Sequence, residues 1–144
     1  DDAKSAVRWL ESNGIREEKI ILCGESLGAA VVIEIAQNKN FAGIILESPF
    51  TSMVEMGKKY YSFFPVSLLL KDRYESINKI KNIHIPVLVM HGKKDSIVPF
   101  EMGKKIFTSA NSPKFYYFSE YDDHMMDYNK LLIEKLKSFM ESLN

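Results

Sequence analysis

Three side chains, far apart in the sequence, could act together as a nucleophile, a base and an acid. Ser26 stands at the centre of Gly24-Glu25-Ser26-Leu27-Gly28, between the apolar run Ile20-Ile21-Leu22-Cys23 and a helix-like run from Ala29 to Gln37. A strand, a sharp turn and a helix in that order raise the apical hydroxyl clear of the backbone, the arrangement called a nucleophile elbow. A serine hydroxyl is a weak nucleophile until a base takes its proton. His124, in Tyr121-Asp122-Asp123-His124-Met125, is the candidate base. Asp95, in His91-Gly92-Lys93-Lys94-Asp95-Ser96-Ile97-Val98-Pro99, is the candidate acid that would fix the tautomer of the histidine and stabilise its cation. The backbone N–H of Leu27, at a helix N-terminus, is the candidate oxyanion donor.

The elements around these residues must bring them to one place. Asp2 to Asn13 reads as an amphipathic helix with Ala3, Ala6, Val7 and Leu10 on its apolar face. Lys19–Cys23, Phe41–Leu46, Val87–His91 and Lys114–Phe118 read as strands, and the continuous apolar character of the second and third is that of strands covered on both faces. Helices are expected over Phe100–Ser109 and Asp127–Leu143, the last with Leu131, Leu132, Leu136, Phe139 and Met140 facing inward. Alternating strands and helices predict an α/β fold, a three-layer sandwich around a parallel sheet of about four strands. Chemistry in such sheets gathers beyond the carboxyl ends of the strands. Ser26 follows the first strand, Asp95 the third and His124 the fourth, so all three are expected at one edge.

Bulk composition narrows the classes. The 144 residues suit a single domain over 1–144. Nineteen basic residues balance nineteen acidic ones, which gives no basic face for nucleic acid. Cys23 is the sole cysteine, so no intrachain disulfide can form; it is expected to be a buried thiol in a core strand, and a reducing, cytoplasmic setting fits. No run of about eighteen apolar residues predicts a transmembrane helix. The opening Asp1-Asp2 reads as the start of an excised piece.

The elbow, Glu47-Ser48-Pro49-Phe50, the His91–Pro99 segment and the late His124 together resemble the alpha/beta-hydrolase fold family, specifically its small single-domain serine hydrolases in the prolyl-oligopeptidase-like branch. The resemblance spans nearly the whole chain. It implies cleavage of a small-molecule acyl substrate, an ester, thioester or amide, through an acyl-enzyme and the catalytic triad Ser26, Asp95 and His124, with no cofactor and no metal. It also implies that the chain is the carboxyl-terminal part of a truncated fold lacking the upstream strands, one of which would pair beside the strand before Ser26. The open strand edge is then a place for self-association. A second oxyanion donor would come from a loop upstream of Asp1, so the fragment is expected to be impaired. Residues 51–83 replace a long lid with a short helical insertion.

Other readings of the same residues stay open. The glycine-flanked serine could be a plain strand-to-helix turn, and the chain a hydrolase-like binding module without catalysis, or a serine peptidase of the same fold. Glu47 rivals Asp95 as the acid. His91 rivals His124 as the base, although a His-Gly pair there more often shapes a turn. His84 lies at the wrong end of its strand, and Asp122 and Asp123 read as solvated. The stretch Tyr60, Tyr61, Phe63, Phe64, Val66, Leu68, Leu69 and Leu70 reads as packing over the sheet, or as an apolar substrate pocket with peripheral lipid contact.

Overall fold

The computed structural model describes residues 2–60 and 73–143. Of the greasy stretch from Tyr60 to Leu70, all but Tyr60 therefore lies outside the described residues. Four strands, β1 (Ile21–Glu25), β2 (Gly43–Glu47), β3 (Val87–Gly92) and β4 (Lys114–Ser119), form one sheet in the order β1-β2-β3-β4, every pair parallel. The helices are α1 (Asp2–Ser12), α2 (Leu27–Ala36), α3 (Met53–Tyr60), α4 (Ser76–Lys79), α5 (Phe100–Ser109) and α6 (Lys130–Glu141). The expected strands and long helices are all present, with ends shifted by up to three residues.

Side chains on successive strand positions point to opposite faces, so each buried strand feeds two layers. On one face Ile44, Leu46, Val87 and Val89 pack with Ala29, Val32 and Ile33 of α2, Ile106 of α5 and Ile80 and Ile83, and Val7 and Leu10 of α1 lie against this cluster. On the other face Ile45, Leu88 and Met90 pack under Met126 and under Leu132 and Phe139 of α6. This is the three-layer α/β sandwich. A third cluster, Ala30, Phe50 and Val98, joins α2 to the segments after β2 and β3, at the carboxyl edge of the sheet.

Two expectations need correction. Cys23 is exposed rather than buried. β1 is an edge strand, and the far-face layer built by α6 covers β2 and β3 but stops short of it, so Ile21 on the same side is also exposed. The last helix is shorter at both ends than the apolar pattern suggested; at its start the Asn129 side chain accepts from Leu132 N–H (3.1 Å) and caps it. With the helix set in this way Leu132 and Phe139 are buried, whereas Leu131 and Met140 are 64% and 44% exposed and do not face the core. No helix among the described residues is long and apolar enough to cross a membrane.

Phe139 is 1% exposed, meets the Phe115 ring edge-on and packs where a Cβ on Gly43 would lie 3.2 Å from its ring. Phe139→Ala is expected to lower unfolding free energy by about 3–5 kcal/mol, and Leu131→Ala by under about 0.5 kcal/mol, in urea denaturation. Equal losses would mean that α6 docks by a different face.

Candidate active site

The elbow is strained where the chemistry would be. Ser26 has φ 51° and ψ −114°, a left-handed conformation uncommon for any residue with a Cβ. The turn is held by Ser26 N–H donating to the Glu47 carbonyl (2.9 Å) and Ala29 N–H to the Ser26 carbonyl (3.1 Å). Gly24 is required by contact, since a Cβ there would lie 2.3 Å from the Gly28 carbonyl oxygen. Gly28 meets nothing at its own Cβ position among the described residues; it is the backbone of Gly28, not a missing side chain, that presses on the strand. Leu27 opens α2 and is half exposed, so its N–H is one of the first four of the helix, which have no intrahelical acceptor.

Asp95 and His124 meet. The Asp95 carboxylate is buried, and its Oδ2 lies 2.9 Å from His124 Nδ1. Its Oδ1 accepts from Ile97 N–H (2.9 Å) and Val98 N–H (2.7 Å), so both oxygens are engaged and the group is oriented as well as desolvated. A bond from Nδ1–H to the carboxylate leaves Nε2 as the basic nitrogen of the ring. The Ser26 hydroxyl makes no hydrogen bond among the described residues. Asp95 and His124 are paired, and Ser26 stands on its turn without a bond to either among the described residues.

The segments after β3 and β4 are bound to each other along their length. Lys93 N–H donates to the Ser119 carbonyl (2.8 Å) and Lys94 N–H to the Asp122 carbonyl (3.1 Å). Gly92 lies directly beneath the second segment: a Cβ on it would sit 2.2 Å from the Asp122 carbonyl oxygen and 2.5 Å from that of Asp123. The glycine of the His-Gly pair admits this close backbone approach and also opens a turn, with Asp95 N–H donating to the Gly92 carbonyl (3.2 Å). Asp123 is exposed but not idle. Its Oδ1 accepts from Ser96 N–H (2.8 Å), Ser96 Oγ–H (2.8 Å) and His124 N–H (2.7 Å). The Ser96 donors, then the His124 N–H, hold its carboxyl below the usual carboxylate range. From the β2 side Ser48, buried with φ 46°, donates from Oγ to the His124 carbonyl (3.2 Å).

The rival residues are occupied elsewhere. Glu47 is buried and accepts from the Tyr128 hydroxyl (2.6 Å), a bond that pushes the Tyr128 pKa strongly upward. His91 is wholly buried, its Nε2 3.0 Å from the Val98 carbonyl oxygen, and has no access to a substrate. His84 is exposed at the amino end of β3. No group of three or more His, Cys, Asp or Glu that could hold a metal occurs among the described residues. Sequence reasoning missed Asp123, Ser48 and Gly92. The signal for Asp123 was its place next to His124, a carboxylate one residue before a free backbone N–H.

A sequence model of the prolyl oligopeptidase family matches residues 1–132. An uncharacterized protein of Mycobacterium tuberculosis is 35% identical over 144 residues, covering 96% of this chain and 51% of its own length. Alpha/beta hydrolase domain-containing protein 17B of Homo sapiens is 34% identical over 104 residues, covering 69% of this chain and 33% of its own length. The chain thus spans about half or less of the length of these relatives. Among solved structures, an esterase of Pyrococcus furiosus superposes with a TM-score of 0.74 at 20% identity, covering 98% of this chain and 60% of that one.

Two measurements follow from the site's bonding. Asp123→Ala removes three hydrogen bonds to a charged acceptor, two of them from backbone N–H groups. Amide hydrogen exchange at Ser96 and His124 is expected to speed up at least about tenfold, while Asp123→Asn, which keeps the acceptor oxygen, stays near the parent; unchanged exchange in the alanine variant would show that the two segments do not depend on this tie. The second concerns His91, whose pKa burial pushes below its ordinary value of 6.5. Below that pH the unfolded chain binds a proton that the folded chain refuses, so stability is present above about pH 6.5 and declines as pH falls. The decline from this group is at most about 1.4 kcal/mol per pH unit. His91→Gln, which does not titrate, is expected to flatten the dependence between pH 7 and 5 in urea midpoints; parallel curves would contradict it.

Proposed function

Because the chain belongs to the prolyl oligopeptidase family and carries the alpha/beta-hydrolase fold, we propose that it is the serine-bearing part of a hydrolase that cleaves a carboxylic ester or thioester through an acyl-enzyme. The observation that carries this reading is the buried Asp95 carboxylate bound to His124 Nδ1 at 2.9 Å, at the same edge of the sheet as a serine held at φ 51° on a strand-to-helix turn. A hydrolase-like binding module would have no use for a desolvated acid–base pair at the same sheet edge as a strained serine, because burying a carboxylate and holding a backbone out of its preferred region both oppose folding.

In the mechanism, Ser26 Oγ attacks the acyl carbonyl as His124 Nε2 removes its proton. Asp95 holds the imidazole with Nδ1–H toward Oδ2 and stabilises the cation that forms. The negative charge that develops on the substrate oxygen is met by the Leu27 N–H at the start of α2, where the helix dipole adds to the stabilisation. His124 then returns the proton to the leaving alkoxide or thiolate. Water, deprotonated by the same nitrogen, attacks the acyl-serine and releases the acid. In a resting site the serine–histidine bond is commonly long and tightens only with substrate, which accords with a Ser26 hydroxyl that makes no hydrogen bond among the described residues. The reading needs neither metal nor organic cofactor. It includes a second oxyanion donor from outside this chain, and its absence would lower the rate by about 10²–10³.

The test uses the full-length protein. Ser26→Ala is expected to abolish covalent labelling by a fluorophosphonate probe, and Asp95→Asn to lower kcat by about 10⁴ with the fold retained, as expected when an imidazole takes the wrong tautomer. Persistent labelling of the alanine variant would remove Ser26 from the reaction. A similar loss in Glu47→Gln, with Asp95→Asn active, would transfer the acid role to Glu47.

A further inference from the structure

His91 closes β3 with no solvent exposure, and its ring is fixed on every side. The Phe100 ring meets it edge-on, with centroids 5.8 Å apart. Gly103 of α5 makes the remaining room: a Cβ there would stand 2.0 Å from His91 Nδ1. On the other side Nε2 faces two acceptors, the Val98 carbonyl oxygen at 3.0 Å and Asp95 Oδ2 at 3.2 Å. Two acceptors facing one nitrogen place the ring proton on Nε2. Nδ1 then carries a buried lone pair, without a partner among the described residues.

That orphan nitrogen is unfavourable, since a buried acceptor without a donor forgoes the hydrogen bond it had in water. A phenylalanine or leucine would fill the same space without it. What the imidazole supplies that an apolar ring could not is the Nε2–H, and that proton is directed at the loop carrying Asp95. The loop is already folded around the acid, with Asp95 Oδ1 accepting from Ile97 and Val98 N–H. The Nε2–H joins the carbonyl side of Val98 and the second carboxylate oxygen to the rigid end of β3.

We propose that His91 is a positioning residue of the hydrolytic site: its shared Nε2–H clasps the Val98 carbonyl and Asp95 Oδ2, so that Oδ2 is presented in line to His124 Nδ1. The proposal rests on the triad reading given above but concerns a residue that touches neither substrate nor nucleophile. It also assigns a purpose to Gly103, whose missing side chain is the space that lets the ring reach the acid.

The experiment compares His91→Leu, His91→Gln and Gly103→Ala in the full-length protein with p-nitrophenyl acetate as the probe, and follows the downfield proton resonance of His124 Nδ1–H in a Ser26→Ala background. Leucine keeps comparable bulk without a donor, and glutamine can place an N–H near the position of Nε2. His91→Leu is expected to lower kcat about tenfold to a hundredfold with KM within about twofold, and to shift or broaden the Nδ1–H resonance, because an oriented group misplaced by a fraction of an ångström loses rate rather than binding. His91→Gln is expected to stay within about threefold and to keep the resonance. Should His91→Leu fail to fold, Gly103→Ala pushes the ring off the acid and is expected to reproduce the loss of kcat. Parental kcat and resonance in His91→Leu or Gly103→Ala would overturn the proposal, as would equal losses in the leucine and glutamine variants. Equal turnover by the parent and Ser26→Ala would instead defeat the triad reading, and the resonance would still decide the role of His91.

Discussion

A carboxylate taken out of water must be surrounded by donors, and that requirement organises the functional edge of this sheet. Asp95 collects its donors from its own loop, through Ile97 and Val98, and from the segment after β4, through His124. The two loops can meet only because Gly92 has no side chain to keep them apart, and Asp123 and Ser96 bind them a second time from the solvent side. The arrangement is an ion-binding shell made entirely of protein, with the ion covalently attached. Its members are scattered over some thirty residues.

The serine is positioned by different physics. No charge anchors it. Close packing does: Gly24 lets α2 press on β1, and the helix starts so abruptly that the residue between them is forced into the left-handed region. Behind the edge, the cluster of Ala30, Phe50 and Val98 ties the elbow helix to the acid loop through apolar contact alone. One half of the site is thus polar and self-satisfying, and the other is steric. The helix N-terminus at Leu27 adds an oriented dipole to the steric half without any further side chain.

Much of this was legible in the sequence. The parallel sheet and the shared edge followed from alternating elements, and Ser26, Asp95 and His124 stood out because each follows a strand. The composition of β2 and β3, apolar without interruption, foretold burial on both faces, and both are buried throughout. What could not be read was where the layers end. Cys23 looked buried because its neighbours in sequence are apolar, yet exposure at an edge is decided by what covers the strand, and α6 does not reach it. Leu131 and Met140 were misread for a related reason: they flank the stripe Leu132, Leu136 and Phe139, and only packing on the sheet decides which of several neighbouring apolar positions turn inward. The ties made by Ser48 and Asp123 join segments that the sequence separates, and a short polar residue carries no mark of the distant backbone group it will meet.

The order of parts along the polymer has a consequence for biosynthesis. Ser26 emerges well before His124, which stands immediately ahead of the helix whose Leu132 and Phe139 seal the far face. A ribosome-bound chain that has already shaped its elbow therefore holds a hydroxyl with no base. On the proposed reading, reactivity would be switched on only once His124 has been made and the closing helix docks, so a product terminated between the two would carry the serine in an inert form.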